Sequence, residues 1–376
     1  MLELRAAILA AAREAGAAAV RIAPAEAAAA TRDRLAGAFA RGDLATWPYD
    51  AAYAARAADP RTLLPEARSV ICVAVPYATA NVPAARGRGR VSNYAWSADY
   101  HRSMGKLLAA LARRIDALAG GAVTRVACDT APIAERAFAE RAGLGWIGKH
   151  TNLIAPGLGS FVFLGEIVTS LDLEPDAPVR KSCGSCTRCV EACPTGALRG
   201  DYTMDATRCI SDLTQRTDAI PRELRPLIGD WVWGCDLCQD VCPPTRRGAR
   251  GGSAFVALEP ATRAPDLHEL LRMRSGTFKR RFARTALGWR GAAVLRRNAA
   301  VALGNGLDRA DVPVLGEALA ADPHAGVRGH VAWALGRIGS PRAYAALRAA
   351  VAREHDPWVL AEICAALEPM NAFPAL

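Results

Sequence analysis

The stretch that decides the fold is CGSCTRCVEACPTGAL, Cys183 to Leu198, whose thiols follow the pattern Cys183-x2-Cys186-x2-Cys189-x3-Cys193-Pro194. This is the ferredoxin run for a [4Fe–4S] cluster, in which three thiolates wrap one cubane and the fourth reaches a neighbouring one. A second run, Cys235-x2-Cys238-x3-Cys242-Pro243, is one thiol short, and the isolated Cys209 in ATRCISDL makes up the deficit. The arithmetic closes on two clusters. Cys183, Cys186, Cys189 and Cys242 take one; Cys193, Cys209, Cys235 and Cys238 take the other. Zinc would need only four ligands in two knuckles, so eight thiols ending in two Cys-Pro pairs fit two cubanes better. Cys72, Cys128 and Cys364 remain. Each lies in an apolar run and reads as a buried structural thiol.

Working outward, the chain has 376 residues, enough for two or three domains with an apolar core. No run of eighteen apolar residues appears, so no membrane span is expected. The N-terminus MLELRAAILAAAREAG reads as an amphipathic helix without an export signal. The expectation is a cytoplasmic protein, where eleven cysteines point to metal rather than disulfides. The formal net charge is +10, supplied mostly by arginine. That favours a polyanionic partner, although a GC-biased genome gives a similar composition.

Residues 1 to about 175 read as mixed α and β. SVICVAVPY (Ser69–Tyr77), VTRVACDT (Val123–Thr130) and SFVFLGEIVTSLDL (Ser160–Leu173) are short apolar, β-branched runs that read as strands. A helical pattern fills Asp99 to Gly120, and ARGRGR (Ala85–Arg90) forms a basic, glycine-rich loop. The C-terminal part repeats: Leu303, Leu335 and Leu367 recur every 32 residues, with Asp322-Pro323 and Asp356-Pro357 as breaks. Helix–turn–helix units at this period form a short α-solenoid of HEAT type.

Ahead of the thiols, VACDTAPIAERAFAERAGLGWIGKHTNLI and GSFVFLGEIVTSLDLEPD complete a set of motifs. Together with CGSCTRCVEACPTGAL, GCDLCQDVCP, DPRTLLPEARSVI, YAWSADYH, CISDLTQ and WRGAAVLRRNAAVALGN, they resemble the epoxyqueuosine reductases nearly end to end. The resemblance implies an α+β protein of three parts. These are an N-terminal α/β cobalamin-binding domain (1–175), a ferredoxin-like domain with two [4Fe–4S] clusters (176–250), and a basic linker with HEAT-like repeats that bind tRNA (251–376). It implies reduction of epoxyqueuosine to queuosine at the tRNA wobble position, the last step of queuosine biosynthesis. Electrons would come from a donor such as flavodoxin or ferredoxin, and a monomer is expected.

Asp129 matches the family's proton donor. Proton delivery near neutral pH would require burial to raise its pKa; the plain alternative is a capping aspartate before TAPIAER. Ser92, Leu153, Leu164, Ile210 and Ser211, with Asp129, occupy cobalamin-contacting positions. The arginine expected near Pro60 is Ala57 here, with Arg56 beside it. The Asp-x-His-x-x-Gly motif of histidine-ligated cobalt is missing, since Asp322-Pro-His-Ala-Gly places its glycine one residue early; a cobalt without a histidine below it is implied. For the RNA, Arg136, Lys149 and Gln215 match positions near the modified base. Arg290, Arg296 and Arg297 stand in the basic entry to the repeats, TFKRRFARTALGWRGAAVLRRN. Two other readings compete. One is an enzyme like the cobalamin-dependent reductive dehalogenases; the other is a ferredoxin-type carrier with a docking solenoid.

Overall fold

A computed structural model of the chain describes residues 2–45, 47–78, 85–249 and 260–368; the boundary expected at 250/251 lies outside them. Helix and sheet are mixed. In chain order the strands are β1 (Ala19–Pro24), β2 (Ser69–Pro76), β3 (Arg90–Val91), β4 (Thr124–Ala127), β5 (Trp146–Ile147), β6 (Leu153–Ile154), β7 (Val162–Thr169) and β8 (Trp231–Trp233). The first five helices are α1 (Leu2–Glu14), α2 (Ala29–Ala40), α3 (Ala51–Ala57), α4 (Tyr100–Ala119) and α5 (Glu135–Arg141). The chain divides into two compact units. The first holds Met1–Ala80, Ser97–Cys209 and Asp236–Ala257; the second holds Asn81–Trp96, Ile210–Cys235 and Leu258–Leu376.

The first unit is built on a sheet of order β1-β2-β7-β4 in which every pairing is antiparallel. The α/β expectation for this part is therefore corrected: no two neighbouring strands of this sheet run parallel. Strand β2, SVICVAVP, is buried at all eight positions, as a central strand covered on both faces must be. Strand β1 was not expected from the sequence. It is a short edge strand carrying Arg21 and ending at Pro24, and edge positions tolerate both.

Helix α4 follows its sequence signals. The Asp99 carboxylate caps it by accepting from the His101 backbone N–H, and Gly120 ends it in the left-handed region. Its buried stripe, Met104, Leu108, Leu111, Ala112 and Ile115, covers one face of the sheet. The fit is close at Gly165 of β7, where a Cβ would come within 2.8 Å of the Leu108 side chain. The opposite face carries Cys72, Ala74, Ala127 and Val168 packed with Phe138, Ala139 and Ala142 from α5. In the cysteine-rich part, two four-residue helices, Arg188–Glu191 and Leu237–Asp240, present Cys189 and Cys238 at equivalent positions and pack together.

The second unit is largely a stack of helices: Ala292–Gly306, Val312–Ala321, Ala325–Ile338, Pro341–Val351 and Pro357–Leu367. The expected breaks hold: Asp322 caps the end of one helix, and Asp356-Pro357 opens another as cap and first residue. The repeated glycines explain the period. A Cβ on Gly304 would lie 2.8 Å from Ala334, and one on Gly336 would lie 2.7 Å from Ala366. Successive helices thus approach at the same glycine of each repeat. Among the described residues no helix is long and apolar enough to cross a membrane.

Candidate functional site

Asp129 follows β4 by two residues and adopts a left-handed backbone, φ +56°, which non-glycine residues seldom hold. It does not cap the helix that follows: α5 begins at Glu135 after Ala134, which offers no side-chain cap. Instead the Asp129 backbone N–H donates to the Glu135 carboxylate, while its own carboxylate meets His101 Nε2 at 2.9 Å. The other ring nitrogen, His101 Nδ1, lies 2.6 Å from Asp99 Oδ1. An imidazole between two carboxylates is pulled toward its charged form. The Asp129 hydrogen bond, with help from Asp99, raises the His101 pKa to about 9.

The same contact corrects the expectation for Asp129. The hydrogen bond from His101 outweighs burial and lowers the Asp129 pKa, and its side chain is 54% exposed. At neutral pH this geometry holds an imidazolium–carboxylate pair, with the proton stored on His101. Sequence reasoning missed His101. Its only local signal was Asp99-x-His101 at a helix start, and the fold alone brings it to Asp129.

Aromatic rings flank this pair. Tyr100 stacks on His101 at 4.1 Å and on Phe163 at 4.3 Å, and Tyr77 stacks on Phe163 at 4.3 Å. Tyr53 feels the Asp129 charge and stacks on Tyr49 at 4.0 Å. Behind Asp129, Cys128 Sγ donates weakly to the Leu164 carbonyl. Leu164 and Leu153 belong to the same apolar cluster as Cys72 and Ala127.

In the second unit the Ser211 carbonyl and hydroxyl accept from Gln215 Nε2, and Gln215 Oε1 accepts from the Tyr94 hydroxyl. Ser92 is buried, and a Cβ on Gly234 would lie 2.5 Å from it. Leu153, Ile210 and Ser92 are only 2%, 3% and 2% exposed, so a cofactor would meet little of their surface. Arg56 lies 5.7 Å from the Tyr53 ring centroid.

Two histidines of the first unit differ in how their rings are held, and the His150 Nε2 is buried without a hydrogen-bond partner. Both nitrogens of His101 are engaged. His150 is buried with Nδ1 accepting from the Asn152 N–H, which leaves the hydrogen of the neutral ring on Nε2. Burial pushes its pKa down to about 4.

Among the described residues the cysteines form no disulfide. Cys183 and Cys242 pack into one small cluster with Trp146 and Ile154. Burial, then the neighbouring Cys183 and Cys242 sulfurs, raise the pKa of Cys189. Cys238 is raised by burial first and next by Cys209, with Asp236, Cys189 and Cys193 also close. Cys186 donates its N–H to the Cys183 carbonyl at 3.1 Å in the turn at Gly184. Cys235 is the last residue of its segment of the second unit, adjacent to Asp236 in sequence. Among the described residues no group of three or more His, Cys, Asp or Glu side chains is placed to hold a single metal ion. Of the three remaining thiols, Cys72 is buried and Cys128 partly so, but Cys364 is exposed, against expectation.

Two arginines expected to meet RNA do other work. Arg297 is 3% exposed and donates to the Leu213, Arg216 and Asp218 carbonyls and to Asn298 Oδ1. Burial lowers its pKa to about 9. Arg296 is 6% exposed, paired with Asp322 at 2.7 Å and bonded to the Met273 carbonyl. Both are corrected to structural roles: burial is invisible in an arginine-rich helix sequence. Arg290 differs. It is partly exposed and lies 3.6 Å over the ring of Trp289, itself 50% exposed. Lys279, Arg280 and Arg284 are exposed on or just after the helix Ser275–Phe282, whose Phe278 and Phe282 are buried. In the first unit Arg136 is exposed and donates to the Thr151 carbonyl, and Lys149 is partly exposed.

Comparison with known proteins agrees with this arrangement. Residues 57–130 match the family "Epoxyqueuosine reductase QueG, DUF1730", residues 182–245 a 4Fe-4S double cluster binding domain, and residues 290–368 HEAT repeats. The epoxyqueuosine reductase of Bacillus subtilis (strain 168) is 36% identical over 318 residues, 83% of this chain and 82% of that one. That of Gloeobacter violaceus is 42% identical over 280 residues, 72% of this chain and 86% of that one. A crystal structure of an epoxyqueuosine reductase with a tRNA-Tyr epoxyqueuosine-modified stem loop superposes with TM-score 0.90 at 32% identity, over 98% of each chain. A Bacillus subtilis epoxyqueuosine reductase structure, with a catalytic aspartate loop swung out of its active site, superposes with TM-score 0.90 at 32% identity over 98% of this chain and 99% of that one. With its double-cluster and repeat modules in place, the chain belongs to the epoxyqueuosine reductase family and is an oxidoreductase.

Proposed function

We propose that this chain reduces epoxyqueuosine to queuosine at the wobble position of tRNA, with Asp129 delivering the proton that the departing oxygen requires. The observation that carries the reading is the Asp99–His101–Asp129 chain of contacts. Deoxygenating an epoxide breaks two C–O bonds and forms a C=C bond. It consumes two electrons and two protons, and the oxygen leaves as water. Cobalamin, when bound beside the partly exposed Leu164, would supply the strongly reducing centre, fed by two [4Fe–4S] clusters on the eight thiols.

The chain's own residues manage the proton. His101 stores it, stabilised by Asp99 and Asp129, and Asp129 takes it from His101 Nε2 as it passes it to the substrate oxygen; solvent water reprotonates His101, and the second proton follows the same route as the oxygen leaves as water. The half-exposed carboxylate then has a replenishing partner instead of an intrinsically raised pKa. The RNA would be held by exposed cations. Arg136 lies near Asp129, and Arg290 with its Trp289 platform lies on the second unit.

The test is anaerobic. Protein reconstituted with iron, sulfide and cobalamin is reduced and mixed with an epoxyqueuosine-bearing tRNA stem loop, and the nucleosides are resolved by mass spectrometry. Loss of one oxygen from the modified nucleoside is the expected result. Unchanged nucleoside from fully loaded protein would overturn the reading.

A further inference from the structure

One buried acid is used by nothing described so far. Glu166 stands in the middle of β7, is 0% exposed, and neither of its oxygens has a hydrogen-bond donor. The register places it opposite Cys72 of β2 and Ala127 of β4. Its neighbour Gly165 faces Met104 and Leu108 of α4, so Glu166 points to the other face, toward α5. There its carboxyl adjoins that of Glu135, and Glu135 accepts the backbone N–H of Asp129.

Two carboxyl groups side by side in an apolar interior cannot both be ionised. We propose that Glu166 and Glu135 form a buried carboxylic acid–carboxylate pair that fixes the turn carrying Asp129, so that both act as positioning residues for proton delivery. Glu166 is the acid and donates its O–H to Glu135. Glu135 is the carboxylate and accepts both that proton and the Asp129 N–H. The rigid centre of the sheet is thereby tied, through two hydrogen bonds, to a backbone conformation that would otherwise relax.

The surroundings are consistent with this assignment. Burial drives the Glu166 pKa well up, and burial also lifts Glu135, to about 7. The groups facing the pair are the Cys72 thiol from β2, the Cys128 thiol and the Asp129 carboxylate after β4, and Arg136 from α5. Both thiols are raised by burial and stay neutral, and the Arg136 charge lies close enough to favour the ionised form of Glu135.

The role given to Asp129 above is assumed here, and the experiment separates the two. In the infrared difference between the intact protein and Glu166→Gln at pH 8, a protonated-carboxyl C=O band should be lost; this signal is independent of turnover. Its absence would overturn the pair. In the loaded enzyme, Glu166→Leu should lower kcat by about 10²-fold, the scale of a small misplacement of a reacting group. KM should stay within about twofold, because ground-state binding is untouched. Glu166→Gln, whose amide still donates to Glu135, should restore most of kcat. Should the leucine variant fail to fold, the glutamine variant and its infrared band still decide the matter. An inactive Asp129→Asn beside a fully active Glu166→Leu would overturn this inference alone, whereas an active Asp129→Asn would overturn the proton-donor reading itself.

Discussion

Asp129 holds a left-handed backbone that costs about 1–3 kcal/mol when nothing supports it. Two contacts do: Glu135 on its N–H and His101 on its carboxylate. Replacing Asp129 by Asn keeps the shape but removes the proton carrier, so clusters and corrin should still load while turnover falls at least about 10²-fold, the ordinary contribution of a general acid. The His101 pair also predicts a pH signature. The folded His101 pKa is raised from 6.5 to about 9 by Asp129, so its contribution to stability is full below pH 6.5 and lost as pH rises through 9. Asp129 is shifted down by the same contact, so its contribution is present above its usual carboxylate range and is lost as acid protonates it. Thermal melts of the protein and His101→Gln should therefore differ most near pH 6 and converge by pH 10. A constant gap across that range would contradict the pair. Asp129 was legible because its motif surrounds it in sequence. His101 was not, because 28 residues and a helix separate it from the carboxylate it meets.

Element by element, the sequence carried most of what local physics decides. Asp99 and Gly120 bracket α4, and the 32-residue period marks the solenoid, because caps and close helix approach leave residue-level traces. Strand β1 was hidden, since an edge strand of mixed polarity has no strong alternation. The all-antiparallel pairing was hidden too, as strand direction is a property of the whole sheet. The repeats make a sharp prediction. Gly336→Ala would push a methyl against Ala366 and should destabilise the protein by about 1–3 kcal/mol, seen as a lower melting temperature with iron content unchanged. Arg297→Met would take a donor from two buried carbonyls and a partly buried one and should cost about 3 kcal/mol. A surface role would instead leave the melt untouched.

At the scale of the molecule, a net charge of +10 becomes informative only when the buried arginines are set apart from the exposed ones. Arg290→Ala should weaken binding of the stem loop and reduce the slope of log affinity against log salt by about one, the effect of losing a single phosphate contact, with no change in melting. The thiols were the most legible feature of all, because the spacing that wraps a cubane is written directly in the chain. The account as a whole stands on Asp129 passing a proton to an oxygen while electrons arrive from the metal centres. The most direct test is a single-turnover time course with the epoxyqueuosine stem loop, comparing the protein with Asp129→Asn at matched iron and cobalamin content. Rapid loss of one oxygen by the first, and a rate slower by at least about 10²-fold in the second, is the outcome expected. Equal rates would contradict it.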